Sequence, residues 1–257
     1  MKIVFLGSTK FSEELLNSLI ENNFEISAIF TIPQEFTIKG NEKVKNTNYA
    51  DLEIISKTQN IPLYYVDENR SLGTYEDIIK KINPDIILVL GWYYIVPKTI
   101  REIPKFGACG IHASMLPKYA GWAPLVWAII NGEEETGVTF FQLDNSTDGG
   151  DIIAQKSFII DTNDTIKEVY DMATKISLSI LLDTLPIIGT LNFKQQDKKK
   201  LEVYNKRNPD DGKIDFQKPS QEIYNFIRAQ STPYPGAFFT TIDGKKIIIE
   251  KARIEDC

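Results

Sequence analysis

Three features of the sequence predict an α/β protein whose core is a doubly wound, mostly parallel sheet. The chain opens with an apolar run over residues 2–7 that stops at Gly-Ser-Thr-Lys. Helical spacing through Leu15, Leu16, Leu19 and Ile20 follows over 12–22, and a second strand pattern occupies 25–31. A β-α-β start of this kind buries both faces of a parallel sheet under crossover helices. Strand and helix patterns then keep alternating as far as residue 143. The third feature is a change of pattern beyond the lysines at 198–200. A helical segment at 220–230 precedes two strands, 237–242 and 245–252, joined at Asp243-Gly244, a strong hairpin signal. The chain is therefore expected to divide into a Rossmann-like first domain, 1–190, and a small α+β second domain, 202–257.

Between these landmarks the elements read in order. Residues 32–48 are polar and aperiodic, with Gly40, Asn41, Asn46 and Asn48, and read as a mobile surface loop long enough to cover a ligand. A helix is expected at 49–59, a strand at 63–66, a helix at 74–82 and a strand at 85–90. The loop Gly91-Trp-Tyr-Tyr-Ile-Val-Pro follows at a strand's carboxyl end, where open α/β sheets bind ligands; its aromatics either pack or receive a flat ligand. A strand over 106–111 runs into His112, the only histidine. A Gly/Pro-rich turn, a helix at 123–131 and a strand at 137–143 lead to the polar loop 144–151, which carries Asp144, Asp148 and Asp151. One long helical region, 165–191, should end or kink at Pro186. Residues 191–201 read as a linker with a solvated lysine face.

Composition sets outer limits. The 257 residues are 42% hydrophobic and 25% charged, ordinary for a globular chain with one full core and an appendage. The net charge of −6 disfavours a nucleic-acid partner, which needs a concentrated basic face. No apolar run approaches the roughly 18 residues of a membrane span, and the opening run is too short for a secretory signal, so a cytoplasmic location is expected. Cys109 and Cys257 make neither a disulfide framework nor metal spacing, and no His/Cys cluster is present to hold a metal. The first turn lacks G-x-G-x-x-G, so nicotinamide-dependent redox chemistry is not expected. A second domain of roughly 55 residues must pack on the first or on another copy, which leaves a homodimer open.

Taken singly, the candidate functional residues each have a plain structural alternative. His112 is a base or a hydrogen-bonded structural imidazole. Asp144, Asp148 and Asp151 are turn residues or partners for it. Lys10, Lys118 and Arg228 are phosphate partners or surface charges, and Tyr234 is a stacking platform or core.

The motifs narrow this. His112-x-Ser-x-Leu-Pro-x-Tyr-x-Gly121, then Ala123-Pro124, Asn131-Gly-Glu-x-x-Thr-Gly-Val-Thr139 and Asp148-x-Gly150, resemble the folate-dependent formyltransferase family, which includes methionyl-tRNA, aminoarabinose and sugar N-formyltransferases. Asn208-Pro-Asp-Asp-Gly-Lys-Ile-Asp and Thr232-Pro-Tyr-Pro-Gly-Ala-Phe extend the resemblance to the second domain, which is then expected to be a truncated OB-like unit. The resemblance implies transfer of a formyl group from 10-formyltetrahydrofolate to a primary amine, with His112 as base and Asp148 as its carboxylate. It implies that Tyr94, Ile95 and Val96 border the pterin largely through backbone groups, and that Asp144, Asn145, Ser146 and Thr147 line the cosubstrate site.

Two positions depart from the family pattern: Gly110 stands where an asparagine is usual two residues before the histidine, and Ala120 replaces an arginine. The short acidic chain and its tail point to a nucleotide-linked amino sugar as acceptor, with Lys10, Lys118 and Arg228 on phosphate and Tyr234 stacking. A methionyl-tRNA formyltransferase, a 10-formyltetrahydrofolate hydrolase and a non-catalytic folate-binding module remain open alternatives.

Overall fold

A computed structural model describes residues 1–38 and 42–256. Its centre is a seven-stranded sheet in the order β10-β9-β7-β6-β1-β2-β5. The strands are β1 (Lys2–Leu6), β2 (Glu25–Thr31), β5 (Leu63–Tyr65), β6 (Ile86–Val89), β7 (Ala108–His112), β9 (Glu135–Gln142) and β10 (Ile152–Ile159). The five from β5 to β7 run parallel, and β9 and β10 are antiparallel to their neighbours. The chain builds outward from β1 to β2 and β5, then returns to place β6 and β7 on the other side. That reversal puts the switch point at the carboxyl ends of β1 and β6, where Ser8 N–H meets the Gly91 carbonyl at 3.2 Å.

Alternation along the strands explains the layers. Ile3 and Phe5 face one side with Leu88, Val138 and Phe140, under α1 (Lys10–Glu21), α5 (Pro124–Ile130) and α6 (Ile166–Thr184). Val4 and Leu6 face the other with Phe30 and Ile87, under α3 (Glu76–Ile82) and α4 (Lys98–Arg101). Both faces are therefore dry, as a parallel sheet requires. Local chemistry sets the helix starts: Thr9 and Ser12 form a capping box on α1, and Thr165 and Glu168 form one on α6. Pro186 ends α6, which passes into a 3-10 turn over Leu185–Thr190. By length and composition Ile166–Thr190 could cross a membrane, at odds with the expectation of no such run. It lies instead on the sheet, with Val169, Ala173, Ile180 and Leu181 buried.

Several other expectations are corrected. The stretch 32–48 is not plain loop: β3 (Glu35–Ile38) and β4 (Glu42–Lys45) pair as a hairpin, while Gly40 and Asn41 lie outside the described residues. Buried Phe36 pins the hairpin against Tyr93 and Tyr94, and the Tyr94 hydroxyl donates to the Thr37 carbonyl at 3.2 Å. The helix expected at 49–59 shortens to α2 (Glu53–Gln59). Strand β10 is not foreshadowed by any alternation; antiparallel pairing on β9 creates it. The linker is laced down rather than free: Gln196 donates to the carbonyls of Asp148 and Gly150, and Lys194 pairs with Ile152.

Beyond it, β11 (Val203–Tyr204) joins β8 (Ala120–Gly121) in the first domain. Then come α7 (Ser220–Arg228), which packs on α5, and the hairpin β12 (Ala237–Thr240) and β13 (Lys246–Ile249), around a small core of Ile214, Ile227 and Ala237.

Phe140 is fully buried on β9, between β7 and β10. Phe140→Ala is expected to cost about 3–5 kcal/mol of stability, by lost transfer energy and the cavity left behind. Urea unfolding checks this, and a loss below about 1 kcal/mol would remove Phe140 from the core role.

Candidate active site

His112 is the last residue of β7, and its neighbours fix where the ring points. Across the sheet it pairs with Thr139, whose hydroxyl donates to the Ser114 carbonyl at 2.6 Å and accepts from Leu116 N–H at 3.1 Å. The Ser114 hydroxyl donates to the Lys118 carbonyl at 2.6 Å and closes the turn. Beyond it Tyr119, Gly121 and Ala123 have φ of +54°, +93° and +50°. These left-handed conformations bend the chain back over the imidazole. His112 is 8% exposed. Its Nε2 lies 2.7 Å from the Tyr119 carbonyl, and its Nδ1 lies 3.5 Å from Asp148 Oδ2. A carbonyl only accepts, so Nε2 carries the hydrogen of the neutral ring and the lone pair sits on Nδ1, facing the carboxylate.

Asp148 is placed with similar care. It sits at φ +52° in the loop after β9, a conformation an aspartate tolerates better than most residues. Oδ2 also accepts from Gly121 N–H at 2.7 Å. Gln196 donates to the Asp148 carbonyl at 2.8 Å and to that of Gly150 at 2.6 Å, so the linker locks the loop from behind.

The remaining loop residues divide. Burial pushes the Asp144 carboxyl up, but Lys198 at 2.6 Å and the Ser146 hydroxyl outweigh it and hold the group below the usual carboxylate range. Asn145 Oδ1 accepts from Arg101, and no described residue accepts from its Nδ2; the Ser146 hydroxyl donates to Asp144, and Thr147 is exposed.

The aromatic loop lies at the switch point. Ile95 is 81% exposed and Val96 is buried, and the Tyr94 hydroxyl is spent on the hairpin. No described residue accepts from the backbone N–H groups of Tyr94, Ile95 and Val96, which leaves them available to the edge of a flat heterocycle. Gly110, on the same strand face as His112, opens no void. A Cβ there would lie 3.3 Å from Leu143 Cδ2 and 3.4 Å from the Val89 carbonyl, so Leu143 takes up the space beside it. No cluster of three or more His, Cys, Asp or Glu among the described residues is arranged for a metal.

Of the expected acceptor contacts, Arg228 is corrected. It is 7% exposed, and its guanidinium donates to Asn225 and to the carbonyls of Asp161 and Asp164, so it ties α7 to the loop before α6 instead of meeting a phosphate. Lys10 is exposed at the start of α1, and Lys118 is exposed in the His112 turn. Tyr234, bonded to the Tyr170 hydroxyl at 2.6 Å, lines a cavity of about 400 Å³ between the two domains. The cavity walls also include Trp122, Pro124, Lys206 and Arg207. Trp122 is 54% exposed, with the Lys206 ammonium 5.7 Å from its ring. Those residues were not singled out from the sequence; the signal present was a tryptophan inside a small-residue turn and two adjacent cations just past the linker.

A sheet that carries an imidazole and a carboxylate beside an open aromatic loop places this chain among the α/β enzymes that bind at the carboxyl edge of their strands. Residues 1–185 match the family model for formyl transferase, and 206–256 match that for the formyl transferase C-terminal domain. The chain belongs to the formyltransferase family, and its cosubstrate is formyl-tetrahydrofolate. It is 36% identical over 245 residues to the methionyl-tRNA formyltransferase of Clostridioides difficile, covering 95% of this chain and 77% of that one. It is 34% identical over 256 residues to the bifunctional polymyxin resistance protein of Wigglesworthia glossinidia brevipalpis, covering 99% of this chain and 38% of that one. Among solved structures, the Helicobacter canadensis N-formyltransferase in complex with folinic acid and dTDP-3-aminofucose superposes with TM-score 0.68 at 26% identity, over 89% of this chain and 80% of that one. A sugar N-formyltransferase from Shewanella shares the fold, with TM-score 0.73 at 20% identity over 100% and 99% of the two chains.

Gly150 leaves no room for a side chain, because a Cβ would lie 1.7 Å from the Gln142 carbonyl oxygen. That carbonyl cannot retreat freely, since Gln142 N–H is bonded to Asp151 at 2.8 Å. Gly150→Ala is expected to cost about 1–3 kcal/mol and to shift the Asp148 loop. Thermal unfolding with activity on the same sample checks it; wild-type values for both would contradict the packing described.

Proposed function

We propose that this chain transfers the formyl group of 10-formyltetrahydrofolate to the primary amine of a nucleotide-linked amino sugar, with His112 as base and Asp148 as its counter-ion. The observation that carries the chemistry is the 2.7 Å contact of His112 Nε2 with the Tyr119 carbonyl, which assigns the lone pair of the neutral ring to Nδ1. Only a neutral amine attacks a formyl carbon, and Nδ1 is the atom of the ring able to take its proton. In this reading the amine nitrogen bonds to the formyl carbon and its proton passes to Nδ1. The folate C–N bond then breaks, and the imidazolium returns the proton to the departing folate nitrogen. Asp148 stabilises the imidazolium between those steps. The aromatic loop, with Tyr94, Ile95 and Val96, receives the pterin through backbone groups.

The oxyanion needs a donor at about 2.7–3.1 Å, and Gly110 supplies no side chain. Ser146 is engaged elsewhere, so the Asn145 Nδ2 amide, from which no described residue accepts, joins the imidazolium Nδ1–H as the donor this reading uses. Loss of one dedicated donor costs about 10²–10³ in rate, which slows transfer without abolishing it.

For the acceptor, the cavity shared by Trp122, Tyr234, Lys206 and Arg207 supports a nucleotide: flat rings for a base and cations for a diphosphate. Lys10 and Lys118 stay as outer phosphate contacts. The solved Helicobacter canadensis neighbour holds a nucleotide-linked amino sugar. A second reading, formylation of methionyl-tRNA, draws on the names of several sequence relatives. The −6 charge argues against it. A cytoplasmic location goes with either reading.

The test is a panel of nucleotide-linked amino sugars with 10-formyltetrahydrofolate, read by the mass gain of one formyl group. Transfer to charged initiator tRNA alone, with binding that weakens steeply with salt, would overturn the acceptor. His112→Ala is expected to lower kcat by about 10²–10⁴ with unchanged circular dichroism. Near-normal turnover in that variant would remove His112 from the base role.

A further inference from the structure

The turn that supplies the hydrogen-bond acceptor for His112 is held from outside the first domain. Its outer edge pairs with β11, Val203 on Ala120 and Tyr204 on Gly121. Trp122 N–H donates to the Tyr204 carbonyl at 3.1 Å, and a Cβ on Gly121 would lie 2.6 Å from that same oxygen, so the two strands are in closest approach. The ring of Tyr204 lies flat on that of Tyr119, with centroids 4.8 Å apart and planes 23° apart. Beneath the stack, Asn131 donates to both phenol oxygens, at 3.1 Å and 3.3 Å, and the Tyr119 hydroxyl donates to Glu133 at 2.7 Å. Tyr204 lies in the stretch between the two family matches, which end at 185 and resume at 206.

The same three-residue segment touches both members of the His/Asp pair. The Tyr119 carbonyl takes the hydrogen of Nε2, and the Gly121 N–H holds Asp148. Tyr119 is left-handed at φ +54°, a conformation it keeps only while its surroundings impose it. Rotation of the peptide between 119 and 120 would take the acceptor away from Nε2. The neutral ring would then hold its hydrogen on either nitrogen, and the lone pair would no longer be committed to the Asp148 side.

We propose that Tyr204 is a positioning residue for His112. Its stack on Tyr119 fixes the 119–120 peptide plane, which keeps hydrogen on Nε2 and the lone pair on Nδ1. Through β11 the proton-accepting state of the ring depends on the segment that joins the two domains. The kinetic consequence rests on the reading of His112 as base; the tautomer does not.

Because His112 is the only histidine, imidazole 15N labelling gives one ring to read by NMR, at a pH where it is neutral. Wild type should show a single tautomer, hydrogen on Nε2. Tyr204→Ala should move both nitrogen shifts towards their average and lower kcat about 10–100-fold, the scale of a misplacement near 1 Å, with the KM for the formyl donor little changed. Tyr204→Phe, which keeps the ring and loses only the Asn131 contact, should restore both. If Tyr204→Ala does not fold, Tyr204→Leu keeps the apolar bulk, drops the stack and should give the same signals. A wild-type tautomer and kcat in Tyr204→Ala or Tyr204→Leu would overturn the proposal, as would a Tyr204→Phe protein no better than the alanine variant. Should wild type formylate no acceptor, the proposed function fails while the spectra still decide this proposal.

Discussion

The site depends on one constraint: the backbone from Tyr119 to Ala123 must stay in a path that most residues avoid. Tyr119 and Ala123 are left-handed without being glycine, and Asp148 facing them is left-handed too. A non-glycine residue in that region gives up about 1–2 kcal/mol. Three of them around one imidazole amount to strain that the fold holds elsewhere, through the capped helices, the buried sheet and the β8–β11 pairing. In return, one carbonyl and one N–H are fixed at 2.7 Å from the groups they serve. Strain of this kind is characteristic of sites that need a group held in place before the ligand arrives.

Much of this was legible in the sequence because it depends on local rules. The parallel strands follow from apolar runs buried on both faces, and the end of α6 follows from Pro186. The position of His112 at a strand's end could be read from a single break in the apolar pattern. What was not legible depends on pairing between distant segments. Strand β10 takes its structure from β9, and the hairpin in 32–48 is anchored by Phe36 on an aromatic loop more than fifty residues away. The burial of Arg228 was equally hidden, since a cation reads as surface until the carbonyls that capture it are located. Tyr204 and Gln196 carried no local signal at all.

The two halves of the chain also bear differently on function. The first domain supplies the imidazole, the carboxylate and the open aromatic loop. The linker and second domain supply Gln196 behind Asp148, Tyr204 on Tyr119, and the cations of the cavity.

The central claim is that Asp148 acts on the chemical step through its charge, 3.5 Å from His112 Nδ1. Asp148→Asn isolates that charge, because asparagine tolerates the left-handed backbone and still offers an oxygen to Gly121 N–H. Single-turnover formyl transfer, with donor and acceptor saturating, measures the chemical step directly. The account predicts a fall of about 10²-fold in that rate with donor and acceptor affinities little changed. An unchanged rate with weakened binding of either substrate would contradict it.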